Sequence, residues 1–430
     1  MTAIVGILNK RGAVMAADSA VTVTNGDRTK IYNTATKIFR MSLENPVGVM
    51  IFSSSEFIGT PWDVIFKLYR DTRGKQSFNT LEEYAKNFVD FLSAENYFSS
   101  VKSQKDYFIS ELSKFYYTIR DEVIDEYQSK IDDMTEEEAS EVNSDEMLRS
   151  MLESKLKYAS ELYSEKGISP EFEDYTIDNL RSYGNDNFKD LIELCEEDNM
   201  PTDMRQQWEE SFLAYIRSQL YYKGSGIVFV GYGSKDIYPS LLPIYISGAF
   251  DHRLRYHFDH DSAQSVTTDD RAFICPFAQT DVMMTLMKGV APDLFEVIDN
   301  QHEKSMQKVK NDIVEQLTEA NVSQDVIDKV VESTLDIIQE EFQEEVLDYI
   351  QEEYVDGIID AVDSFSIDDM ANMGESLISV TNLQRHISSS DESVGGPIDV
   401  AVITRSEGFI WIKHKDWFRQ DLNPNTRFFE

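Results

Sequence analysis

Strand-forming sequence occurs in this chain in three separate stretches, 1–60, 225–275 and 397–413, with two acidic stretches of helical periodicity between them. Buried strands cannot stay unpaired, because each N–H and C=O needs a partner. Groups of strands this far apart therefore have to meet in one sheet system. The pattern predicts one discontinuous α+β core built from 1–98, 221–291 and 365–430, with helical insertions at 99–220 and 292–364.

Within the core, residues 3–9 alternate weakly and read as a strand that turns at Lys10-Arg11-Gly12 into a partner over 13–19. Further strands are expected at 21–24, 37–41, 47–52, 226–233, 242–247, 272–275, 398–403 and 408–413. Helical spacing follows at Trp62, Ile65, Phe66 and Tyr69, and a helix capped by Thr80 runs through Leu92. Two more core helices are predicted at 279–288 and 367–386. In the insertions, Tyr107, Leu112, Phe115 and Ile119 form one stripe, and Leu148, Met151, Leu152 and Leu156 another. Val331, Leu335, Ile338, Phe342, Val346 and Tyr349 step by three or four, as in one long packed helix. The one-signed charges flanking that row argue against a coiled-coil partner.

The net charge is −38, from 78 acidic and 40 basic residues. That excludes nucleic acid and anionic membrane surfaces as partners, since both require clustered Lys and Arg. The excess serves solubility or provides an acidic docking surface. Cys195 and Cys275 are too few for a disulfide framework, and Cys275 reads as strand packing. No apolar run approaches the roughly 18–20 residues of a membrane span. The N-terminus lacks the basic and apolar regions of a secretory signal. A cytoplasmic protein is the expectation.

The chemistry concentrates at the start of the chain. Thr2 becomes the terminal residue once Met1 is removed, and its short side chain favours that removal. A threonine hydroxyl is a weak nucleophile without a base, and a free α-amine with a pKa of about 7.7–8.0 can serve as one. A neighbouring ammonium keeps that amine neutral by like-charge repulsion, and a carboxylate holds the ammonium. Lys37 and Asp18 fit these roles, and the turn Ser53-Ser54-Ser55 offers backbone N–H groups to an oxyanion.

Thr2-Ala3-Ile4-Val5-Gly6-Ile7, Val14-Met15-Ala16-Ala17-Asp18-Ser19, Lys37-Ile38, Ile51-Phe52-Ser53-Ser54-Ser55 and the segment Asp391 to Ile403 resemble the proteasome β-subunit superfamily. That superfamily belongs to the N-terminal-nucleophile hydrolases and includes bacterial HslV-type peptidases. The resemblance covers roughly half the chain. It implies a four-layer αββα sandwich, with helix pairs at 60–70 with 80–93 and 279–288 with 367–386. It implies Thr2 as nucleophile, Lys37 tuning its amine, Asp18 positioning Lys37, the Ser54 backbone as oxyanion hole, and Asp391 and Ser393 in the supporting network. It also implies a threonine peptidase that self-assembles into a homo-oligomeric ring or larger particle, and leaves open whether a separate ATPase or adaptor feeds it.

Serines replace the glycine usual at the oxyanion turn, and Val394 stands where the superfamily has a serine. An assembly or scaffold protein without useful catalysis is therefore a second reading, and an amidohydrolase acting on a small amide a third. No cofactor or metal is expected. His252, His257, Asp259, His260 and Asp261 match no metal motif and read as polar loop residues. Gly231-Tyr232-Gly233 is too short a signal for a nucleotide loop, and the absence of a phosphate-loop motif leaves the chain no ATPase of its own.

Overall fold

The computed structural model describes residues 2–25, 28–94, 100–135, 143–219, 224–320, 322–323, 327, 337–338, 341–387 and 395–415. The protein is mixed α/β, and its strands pair antiparallel. Strand β1 (Ala3–Asn9) forms a hairpin with β2 (Gly12–Ala17), followed by a ribbon of β3 (Val21–Asn25) and β4 (Arg28–Tyr32). Next come β5 (Ile38–Arg40), β6 (Val47–Ser53) and a short ribbon, β7 (Glu56–Phe57) with β8 (Thr60–Pro61). Helices α1 (Trp62–Arg73) and α2 (Leu81–Ala94) complete the first stretch.

Among the described residues, the α-helices that follow are α3 (Val101–Asp132), α4 (Ser144–Glu165), α5 (Ile177–Glu197) and α6 (Arg205–Arg217). The second stretch holds β9 (Ser225–Gly231), β10 (Ser240–Phe250), β11 (Arg253–Phe258), β12 (Gln264–Ser265) and β13 (Ala272–Ala278). After it come α7 (Asp281–Lys288), α8 (Pro292–Glu319), α9 (Asp356–Ser364) and α10 (Ile367–Ile387). Strands β14 (Asp399–Thr404) and β15 (Gly408–Lys413) close the described chain.

All three strand-bearing stretches meet in two sheets. One has the order β13-β1-β2-β14-β15, and the other β11-β10-β9-β6-β5, with β12 on β10. Both faces of the first sheet are covered, which explains the weak alternation of β1. Ala3, Val5, Ile7, Val14 and Ala16 pack in one apolar cluster with Met283 of α7 and Met370 and Ile378 of α10. Ile4, Leu8, Met15 and Ala17 point the other way, into a cluster shared with Met50, Phe52, Val228 and Val230 of the second sheet. On its other face the second sheet packs Val49, Ile51, Ile227 and Phe229 against Trp62, Phe66, Tyr84 and Phe88 of α1 and α2. Full burial of strands on both faces produces near-continuous apolar runs rather than alternation.

Helices α3–α6 surround a separate cluster that includes Phe115, Trp208 and Phe212, joined by Phe250 at the end of β10. The second acidic block behaves differently. Helix α8 buries none of its residues, and Leu294, Val297, Ile298 and Val309 are exposed. Of the row expected in one packed helix, Val331 and Leu335 lie outside the described residues, Phe342 and Val346 are half-buried, and Ile338 and Tyr349 are exposed. Phe342 stacks on His302 of α8, with ring centroids 3.8 Å apart. The described part of the apolar row is thus only part covered.

One boundary also moves. The strand expected at 272–275 runs on to Ala278 through Pro276. Strand β13 lies at the edge of its sheet with β1 as its neighbour, so the N–H that proline lacks leaves no ladder bond broken.

Candidate active site at the strand ends

Antiparallel pairing brings four strand ends of the first sheet together. Ala3 pairs with Ala278, Ile4 with Ala17, and Ala17 with Asp399. Thr2, Asp18, Gln279 and Asp399 therefore cluster at one end of that sheet. The second sheet contributes Lys37, just ahead of β5, whose C=O accepts from Ile51 N–H at 2.8 Å, and the end of β6 at Ser53.

Asp18 is wholly buried and Lys37 is 3% exposed. The Lys37 Nζ donates to Asp18 Oδ1 at 2.6 Å. The same oxygen accepts from Ala3 N–H at 2.9 Å, so the carboxylate touches the residue next to Thr2. Asp18 Oδ2 accepts from Ala20 N–H at 3.1 Å and Gly395 N–H at 3.2 Å. Four donors thus converge on one buried carboxylate. Burial pushes the Lys37 ammonium below its ordinary pKa, against the opposing pull of Asp18, and the nearby Lys415 charge lowers it further.

A second ion pair stands beside the first. Lys415 Nζ donates to Asp399 Oδ2 at 2.5 Å, to Ala35 C=O at 2.7 Å and to Ser19 Oγ at 2.9 Å. Asp399 Oδ1 meets Lys415 N–H at 3.0 Å and His414 Nδ1 at 3.1 Å. Burial alone would raise the Asp399 carboxyl, but the His414 and Lys415 hydrogen bonds hold it below the usual carboxylate range.

Thr2 is 6% exposed, and its C=O accepts from Gln279 N–H at 3.3 Å. Gln279 in turn receives a hydrogen bond from Arg385 of α10 at 2.8 Å. Phe52 and Phe277 stack between the two sheets at 5.7 Å, and the residue after each, Ser53 and Ala278, has positive φ (69° and 67°). Non-glycine residues adopt that conformation at a cost of order 1–3 kcal/mol, and such strain clusters at functional sites. Ser54 follows this bend, and its hydroxyl donates to Glu56 C=O at 2.9 Å. A cleft of about 440 Å³ lies beyond the 34–36 segment, lined by Thr34, Ala35, Thr36, Ser55, Trp411 and His414. Thr2, Asp18 and Lys37 do not line it.

Of the residues the sequence pointed to, the fold joins Asp18 and Lys37 directly and sets Thr2 one residue from their shared oxygen. Ser54 sits at the end of β6, while Asp391 and Ser393 lie outside the described residues. Sequence reasoning missed Ser19, Asp399 and Lys415. A carboxylate inside the apolar strand Ile398-Asp399-Val400-Ala401 was the available signal for Asp399; nothing marked Lys415.

Among the described residues, no group of three His, Cys, Asp or Glu side chains could hold a metal ion. His257 stacks on Tyr245 and His260 on Phe258. Burial pushes the Cys275 thiol up to about 12 and Cys195 up to about 11, so neither is a nucleophile near neutrality. No helix among the described residues is long and apolar enough to cross a membrane.

No protein-family model matches the chain, and no curated protein matches it. Among solved structures it is similar to an Anbu (Gly-1) mutant from Hyphomicrobium sp. strain MC1, covering 99% of this chain and 92% of that one. The identity is 10% and the TM-score 0.29, a level of likeness that carries no argument. Membership of the proteasome β-subunit superfamily, implied by the sequence resemblance, is therefore withdrawn. The matching segments are short strand ends and turns, and they do not extend to a match over the chain. What stands is the geometry around Asp18 and Lys37.

Proposed function

We propose that the protein is a hydrolase in which Thr2, made N-terminal by removal of Met1, attacks an amide bond, most simply a peptide bond. The observation that carries this reading is the buried Asp18–Lys37 pair whose shared oxygen also holds the Ala3 N–H. In this reading the free amine of Thr2 takes the hydroxyl proton as Oγ1 attacks the carbonyl carbon. The Lys37 ammonium disfavours protonation of that amine, and Asp18 keeps Lys37 in place. The tetrahedral oxyanion is assigned to the backbone N–H at Ser54, where the chain bends after Ser53. The leaving amine takes the proton back, and water then hydrolyses the Thr2 ester by the same route.

The layered clusters support a four-layer order of helices, sheet, sheet and helices, with 99–220 and 292–364 inserted into a core of 1–98, 221–291 and 365–430. Self-assembly into a homo-oligomer in the cytoplasm completes the proposal, and light scattering of the purified protein tests it.

The decisive experiment has two parts. Mass spectrometry identifies the first residue of the mature chain, and a peptide electrophile is tested for covalent attachment to Thr2 alongside hydrolysis of a peptide panel. The expected result is a chain starting at Thr2, labelled there, with both activities lost in Thr2→Ala. Retained Met1, or equal turnover by Thr2→Ala, refutes the mechanism.

A further inference from the structure

We propose that Asp399 and Lys415 form a positioning pair for Thr2 chemistry, locking together the two segments that deliver Asp18 and Lys37. This inference rests on the reading of Thr2 as nucleophile.

The bonding pattern carries it. Ser19 directly follows Asp18, and Ala35 lies two residues before Lys37. Lys415 Nζ bridges them, donating to Ser19 Oγ and to Ala35 C=O, while Asp399 holds its third proton. Ala35 N–H donates back to Ser19 C=O at 3.1 Å, so the two segments are tied twice. The Ser19 hydroxyl donates to Pro397 C=O at 2.6 Å, and Ser19 N–H donates to Gly395 C=O at 3.1 Å. Gly395 N–H then completes the hydrogen bonds around Asp18. The turn at 395–399 is therefore pinned by Asp18 at one end and by the Asp399–Lys415 pair at the other.

The pair is costly to bury, with side chains 1% and 6% exposed. A purely structural role would be filled as well by apolar residues of similar volume, which often match or exceed a buried ion pair in stability. A charged pair is better placed to fix geometry, because Lys415 supplies three directed donors to three separate acceptors. The charged groups that act on Lys37 among the described residues are Asp18 after β2, Asp399 on β14 and Lys415 after β15, and His414 hydrogen-bonds Asp399. Removing the Lys415 cation lets a nearby amine hold its proton more readily.

The test compares wild type, Lys415→Met, Asp399→Asn and the double variant Asp399→Asn/Lys415→Met. Each is assayed for the rate of Thr2 labelling by a peptide electrophile against pH, for melting temperature, and for hydrogen exchange at the Ala35 and Gly395 amides. Lys415→Met is expected to label about ten- to a hundredfold more slowly, as for a small displacement of reacting groups. Its acid limb should move to higher pH, and both amides should exchange faster. The double variant, free of an unpaired charge, should regain melting temperature without regaining rate. Wild-type rate and pH profile in Lys415→Met, or recovery of rate together with stability in the double variant, overturns the proposal. Failure to label wild type at Thr2 instead overturns the parent reading, and the proposal with it.

Discussion

Replacing Asp18 by Asn keeps the side-chain shape and removes the charge. An amide has one acceptor oxygen, so in either flip its NH₂ group faces two of the four donors around it. The buried Lys37 ammonium also loses its counter-charge. Leaving a buried charge unpaired costs about 3–5 kcal/mol. Lys37 can escape by giving up its proton, at about 1.4 kcal/mol for each pH unit below its ordinary value of about 10.4. That route caps the ionisation share near 4.6 kcal/mol at pH 7. Burial already lowers Lys37, so a total deficit of about 3–4 kcal/mol is expected at pH 7. With Lys37 neutral in the folded variant, the unfolded chain binds the extra proton, and the deficit shrinks by about 1.4 kcal/mol per unit as pH rises toward 9. Urea unfolding at pH 7, 8 and 9, followed by tryptophan fluorescence and circular dichroism, measures this. A loss under about 1 kcal/mol at pH 7, or an equal deficit at pH 7 and 9, would refute a buried ionic interaction between these groups.

Three further expectations concern acid stability and packing. The folded state holds Asp399 below the ordinary carboxylate value of about 3.9, so its contribution is complete above roughly pH 5 and is lost as pH falls through the folded value. Asp399→Asn should therefore flatten that part of an acid titration followed by near-UV circular dichroism, and an unchanged curve counts against it. A Cβ at Gly226 would lie 2.1 Å from the Phe52 ring, so Gly226→Ala should destabilise by about 1–3 kcal/mol in urea unfolding and disturb the Phe52–Phe277 stack. Phe250→Ala empties a site packed by Phe108, Phe172 and Tyr175; a loss of about 3–5 kcal/mol is expected, with faster hydrogen exchange in α3 while β1 stays protected.

Much of the architecture could be read from local pattern. The β1–β2 hairpin, the helices at 62–73 and 81–94, and the strand pair at 399–413 each carry their own periodicity and turn residues. Asp18 and Lys37 were legible because both lie close in sequence to the strands that carry them. Lys415 was not, because its meaning depends on Ser19 and Ala35, which only folding brings near. The strand expected to end at Cys275 runs on through Pro276, which an edge strand tolerates. The apolar row through 349 predicted a well-packed helix, but periodicity reports that a face is apolar and is silent on whether anything covers it.

The sheet order carries a consequence for biosynthesis. Strand β2 lies between β1, made just before it, and β14, made near the end of the described chain. Roughly 380 residues separate Asp18 from Asp399, which at about 5–20 residues per second is some 20–75 s of translation. Until β14 arrives, β2 has an open edge and Asp18 lacks the Gly395 N–H. Thr2 and Asp18 thus precede by several hundred residues the segment that completes their surroundings. If the proposed Thr2 chemistry holds, a growing chain carries its threonine in an unassembled site, and reactivity begins only when β14 and the segment around Gly395 dock.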